Sequence, residues 1–210
     1  MISAPAFYSL RHGVDDPACG FCQAFRAILF AMEHPGELVT VREYPSAPAV
    51  FNSAAAAACL TLLDDETPVW TDIDWRSPAI GWLQFGCGSS VVTEPCMAKF
   101  AIITRPAAMP ALENFRVGRY EDCEKATTVV VQVDDILPRP DDRYCNIRGD
   151  KTAQLAFKRV PDNFGRQWQQ LFSRYPLGID IFIACDDVLV ALPKTTARAF
   201  AQASRIEPVG

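Results

Sequence analysis

The stretch IDIFIACDDVLVAL, Ile179 to Leu192, decides the fold class. Two apolar runs, Ile179 to Cys185 and Val188 to Leu192, flank Asp186-Asp187. Two turn-forming residues between two strand-like runs predict a hairpin, with Asp-Asp a weaker signal than Asn-Gly. Asp180 interrupts the first run, and strand alternation sets it on the face opposite Ile179 and Ile181. If both faces of that strand are covered, a carboxylate there needs a partner or must be neutral. It is either a functional group or half of a structural ion pair.

Outward from this hairpin, Thr127 to Val133 is strongly β-branched and reads as a central strand covered on both faces. Further strands are expected at Glu37 to Glu43, Thr67 to Thr71 and Lys99 to Thr104. Between them lie helical segments. Asp16-Pro17 is a good helix start, Phe21, Ala24, Phe25, Ile28, Leu29 and Met32 recur at helical spacing, and His34-Pro35-Gly36 ends the run. Asn52 to Leu63 carries five consecutive alanines, which pack closely at low entropic cost. Ser77 to Phe85 reads as a helix, Pro110 to Phe115 as a helical turn, Pro161 to Tyr175 as an amphipathic helix and Thr195 to Ala203 as a last one. Leu137 to Asp142, with two prolines, is expected to be a rigid exposed connection. Alternating helices and strands predict an α/β three-layer sandwich around a mixed, mostly parallel sheet, antiparallel toward the chain's end.

With 210 residues, half of them hydrophobic, the chain is expected to form one domain over 1–210, with 1–16 an extension and 204–210 a tail. A net charge of -5 without a basic stripe argues against nucleic acid. The longest apolar stretch, Ala54 to Leu60, is far short of a membrane span. Met1 to Gly13 lacks the pattern of a secretory signal, so a reducing cytoplasm is the expected address. The eight cysteines, at 19, 22, 59, 87, 96, 123, 145 and 185, then read mostly as buried thiols.

Chemistry-bearing patterns are sparse. Cys19-Gly20-Phe21-Cys22 has redox spacing, but no strand precedes it and no second Cys or His pair completes a zinc site. No metal site is expected. His34 suits the capping of helix carbonyls, and His12 lies in the N-terminal segment without a persuasive partner. Asp64-Asp65-Glu66 reads as a solvated turn rather than a cation site, and Arg148-Gly149-Asp150 as a turn. Nucleophile elbow, phosphate loop and dinucleotide turn are all missing, so no catalytic residue is assigned.

Four segments, FRAILFAMEHPG (Phe25 to Gly36), LTLLDDETPVW (Leu60 to Trp70), PLGIDIFIAC (Pro176 to Cys185) and LVALPKTT (Leu189 to Thr196), together resemble the H-subunit family of the phosphonate carbon-phosphorus lyase system. The resemblance implies a fold like the large domain of pyridoxal-phosphate transferases without the cofactor. It also implies a homodimer and assembly with the G, I and J subunits, which couple a phosphonate to the ribose C1 of ATP. The reacting groups belong to the I and J subunits in that scheme, and this chain's role would be accessory. Tyr144 to Lys151 departs from the family's Gly-Pro-Gly-Ile turn, keeping one glycine and losing the proline. For a ligand, the matched segments offer Arg26, Asp180, Lys194, Thr195 and Thr196, an anion clamp beside a carboxylate. The competing reading is a transferase with Lys99 or Lys194 as the Schiff-base lysine and Asp180 or a neighbour facing the pyridine nitrogen.

Overall fold

Val129, Val130 and Val131 are all fully buried, so successive side chains of one strand meet core on both faces. That strand, β4 (Thr128–Gln132), is the centre of a six-stranded sheet in the computed structural model. The structure describes residues 17–41, 47–122, 125–137, 145–148, 154–157, 160–172 and 176–195.

Strands β2 (Val69–Thr71), β3 (Phe100–Ile103), β4 and β8 (Asp180–Cys185) run parallel, while β9 (Val188–Leu192) and β1 (Val39–Thr40) close the sheet antiparallel. The spatial order is β1-β9-β8-β4-β3-β2. This is the mixed α/β sheet expected from the sequence. The β8–β9 hairpin forms as read, pairing Cys185 with Val188 and Ile183 with Val190. Asp186 takes the left-handed conformation at its turn, with φ of 49°, which aspartate tolerates better than most side chains.

Each face of the sheet has its own core. On the first, α1 (Pro17–Glu33) and α2 (Ser53–Leu62) cover Phe100, Ile102, Val130, Phe182, Ala184, Leu189 and Ala191. Ala54 to Ala58 are fully buried, because side chains this small let α2 lie close to α1 and to the sheet. Asn52 caps α2 by accepting a hydrogen bond from the Ala55 amide at 2.8 Å. At the end of α1 the His34 amide and ring Nδ1 both donate to the Phe30 carbonyl, at 2.9 and 3.0 Å. Gly36, at φ of 83°, turns the chain so that its amide reaches the Ala191 carbonyl. The expected helix end and capping histidine are therefore both present.

On the second face, α4 (Phe164–Phe172) and Leu112, Phe115 and Phe157 cover Ala101, Ile103, Val129, Val131, Ile181 and Ile183. A second sheet also lies in this part of the chain, three antiparallel strands in the order β5 (Ile136–Leu137), β7 (Gln154–Phe157), β6 (Cys145–Arg148). The sequence reading missed it. Leu137, taken there as the start of a connection, ends β5 instead, paired with Ala156. Three other expectations change in extent. The Glu37–Glu43 strand is two paired residues among those described. Pro110 to Phe115 is a single tight turn at Leu112–Asn114. The Ser77–Phe85 helix is α3 (Pro78–Gly81) followed by one wider turn, Trp82–Gly86, closed by the Cys87 amide on the Trp82 carbonyl at 3.1 Å. The extra residue in that turn buries Leu83 and leaves Phe85 in solvent. The Asp16 cap, the Gly149-Asp150 turn and the last expected helix beyond Thr195 lie outside the described residues.

Candidate functional site

In an open α/β sheet, ligands favour the rim at the carboxyl ends of the parallel strands. Here that rim is stitched together by polar side chains. The Gln132 side chain, at the end of β4, accepts from the Asn52 amide at 2.6 Å and donates to the Val50 carbonyl at 2.9 Å. Asn52 in turn donates its side-chain amide to the Ala184 carbonyl of β8 at 3.0 Å. The first amides of α2 are consumed as well, Ala54 by the Asp186 carbonyl and Ala55 by Asn52. Two strands along from β4, Asp72 follows β2 and receives the Thr104 amide and hydroxyl at 2.9 Å each and the Arg105 amide at 2.8 Å. The Arg105 guanidinium also lies 3.6 Å from that carboxylate and donates to the Asp72 backbone carbonyl. These bonds lock neighbouring strand ends to each other.

Beside the Asn52–Ala184 bond, Cys185 ends β8 in a carboxylate-rich corner. Burial, and then the charges of Asp186, Asp135, Asp134 and Asp187, push its thiol up to about 11. A thiol held protonated at neutral pH is a poor nucleophile and a poor metal ligand. Among the described residues no cluster of three His, Cys, Asp or Glu side chains has metal-ligand geometry.

The residues singled out from sequence sit elsewhere. Asp180, Lys194 and Thr195 lie together at the opposite rim, the amino end of β8. Asp180 accepts the Lys194 backbone amide at 2.8 Å, and its other oxygen is 4.0 Å from Lys194 Nζ. Gly178, at φ of 148°, brings its backbone close enough that a Cβ there would sit 3.3 Å from Lys194 Cβ. Of the two readings of Asp180, this geometry is that of an ion pair closing the ends of β8 and β9. Arg26 does not join them. It is exposed on the outer side of α1 and, among the described residues, makes no hydrogen bond or ion pair with Asp180, Lys194 or Thr195. Thr196 is outside the described residues.

The same geometry bears on a pyridoxal-phosphate reading. Lys194 contacts the Asp180 carboxylate, one of the groups read as facing the pyridine nitrogen, and this pair leaves no gap for that ring. Lys99 donates to the Glu66 carbonyl at 2.6 Å, also at the amino ends of the parallel strands. These side chains do not fit the cofactor. The acidic turn is a turn, with Asp64 accepting from the Glu66 amide at 3.1 Å and from the Thr67 hydroxyl. Cys22 is an exposed free thiol on α1. The stitching residues Asn52, Asp72 and Gln132 were not singled out from sequence. Their signal was faint: each is a polar residue at the boundary of an apolar element.

Comparison with known families adds what this geometry does not carry. The family described as bacterial phosphonate metabolism protein (PhnH) matches residues 12–199. The chain belongs to the PhnH family. A curated relative in Rhizobium meliloti (strain 1021), alpha-D-ribose 1-methylphosphonate 5-triphosphate synthase subunit PhnH, is 30% identical over 183 residues. That match covers 86% of this chain and 91% of the relative. The family match runs through both rims and both cores, including the four segments that carry the resemblance. Membership of PhnH makes phosphonate metabolism the setting in which the rims must be read.

Proposed function

We propose that this protein is an accessory subunit of an alpha-D-ribose 1-methylphosphonate 5-triphosphate synthase, acting in phosphonate catabolism by holding other subunits in place. The observation that carries this reading is the family match over 12–199 together with a strand-end rim whose polar groups are spent on one another. A catalytic rim keeps donors and acceptors directed at a ligand. Here Asn52, Gln132 and Asp72 are directed at backbone atoms of the same chain.

The partners in this reading are the G, I and J subunits of the carbon-phosphorus lyase system and a second copy of the chain, in the cytoplasm. Its body is one α/β domain of the kind seen in the large domain of pyridoxal-phosphate transferases, without that cofactor. If any ligand is held, Asp180, Lys194, Thr195 and Thr196 form its natural clamp, with Arg26 reserved for contacts between chains.

Co-expression of a tagged chain with the G, I and J subunits tests the proposal. One assembly should elute containing all four, and it should couple methylphosphonate to ATP with release of adenine. Loss of that coupling on omitting this chain is the expected pattern. A chain that never enters the assembly, or that turns over the phosphonate by itself, would defeat the proposal.

A further inference from the structure

The outer side of α1 is unlike a solvated helix face. Phe25 and Leu29 are each 45% exposed, one turn apart, and Cys22, Arg26 and Glu33 are exposed with them. At helical spacing these five fall within an arc of about 100°. The opposite arc, with Ala24, Ala27, Ile28 and Ala31, is buried in the first core. The helix is therefore apolar on two sides, and among the described residues only one of them is covered.

We propose that this outer face is where two copies of the chain meet, their α1 helices packed antiparallel about a twofold axis beside Leu29. The inference rests on the expectation of two copies in the proposed function and adds the surface. Its specific support is the placement of charge. Arg26 and Glu33 lie two turns apart on the same stripe, with Leu29 about midway between them. Antiparallel pairing centred there sets Arg26 against Glu33 of the partner subunit, and symmetry repeats the contact on the other side of the axis. Leu29 then meets its own copy at the centre, and Phe25 covers the flank. Parallel pairing in register would put Arg26 against its own copy and Glu33 against its own, like charges in both places. A stripe whose charges complement themselves when two copies run antiparallel is suited to a second copy rather than to an unrelated chain. One helix face is smaller than the roughly 800 Å² per partner of a standard interface, so the dimer dissociates measurably on dilution.

Sedimentation velocity on the full chain across a concentration series reads the result. The unaltered chain should populate a dimer. Arg26→Glu and Glu33→Arg should each weaken it about tenfold or more, and the double exchange should restore it to within about threefold. Circular dichroism on each variant separates a lost contact from a lost fold. Leu29→Cys in a Cys22→Ser background gives a second route, since a residue beside the axis should crosslink to its own copy under mild oxidation. A dimer that survives both single exchanges, or that fails to crosslink through position 29, overturns the α1 surface while leaving the subunit role intact. A monomer at every concentration overturns the surface and the second copy together. Co-elution with the G, I and J subunits, measured separately, shows whether the proposed function falls as well.

Discussion

Asn52 joins two elements through one side chain. Its oxygen caps α2, and its nitrogen holds the Ala184 carbonyl, so one residue ties a helix start to the end of a central strand. Asn52→Ala loses both bonds and should lower stability by about 2 kcal/mol in urea unfolding. Asn52→Ser keeps the cap alone and should recover roughly half of that loss. Equal losses in the two variants would show that the cap contributes nothing. Thiols give a second prediction at this scale. Burial pushes Cys87 from 9.0 up to about 12, and Cys59, fully buried beside it, also shifts well upward. The folded state therefore retains protons that the unfolded chain releases above pH 9, so stability is complete below that pH and falls as pH rises toward 12. Cys87→Ala should flatten that fall, read from thermal midpoints between pH 8 and about 10.5, within the window those shifts set. None of the stitching at Asn52 was legible in the sequence, because its partners stand 80 and 132 positions away. The Asp180–Lys194 pair was only half legible: an ion pair was one of the two readings of Asp180, but Lys194 was marked for a ligand and not as its partner.

At the level of elements, the sequence was most informative where a pattern was long and its geometry local. The spacing of apolar residues in α1, the alanine run in α2, and the β8–β9 hairpin each carry their own signal, and each stands where it was expected. The β5-β7-β6 sheet carried none, since strands of two to four residues are too short to display alternation, and their pairing is a tertiary choice. The wide turn at Trp82–Gly86 was hidden for a different reason: hydrogen-bond register inside a helix leaves almost no trace in hydrophobic periodicity. The alanine run makes a sharp prediction. Because Ala57 is fully buried where α2 lies against α1 and the sheet, Ala57→Leu must force those layers apart. Overpacking of this kind should cost about 1–3 kcal/mol, whereas Thr61→Leu near the helix end, whose hydroxyl has no hydrogen-bond partner among the described residues, should be neutral or stabilising. Tolerance of leucine at position 57 would mean that the layers are less closely packed than the burial of all five alanines implies.

For the whole molecule, the order of the chain and the order of the sheet disagree in a way that governs stability. Among the described residues the last two strands in sequence, β8 and β9, stand between β4 and β1, so the sheet has no continuous backbone ladder until they arrive. Each face of the sheet depends on them too: Phe182, Ala184, Leu189 and Ala191 belong to the first core, Ile181, Ile183, Val190 and Leu192 to the second. A fragment ending at Gly178 would keep β2, β3 and β4 as a ladder but leave β1 without its partner and the open side of β4 exposed as an apolar edge. Such an edge pairs with whatever it meets. The fragment should therefore lack a cooperative thermal transition and aggregate at micromolar concentration, although it retains four-fifths or so of the chain. By the same reasoning, hydrogen exchange in the intact protein should find the amides of β4 and β8 opening only with global unfolding, and those of the two-residue edge strand β1 opening earlier. If β1 amides proved as slow as those of β8, some further surface, such as a second copy of the chain, would have to be covering that edge.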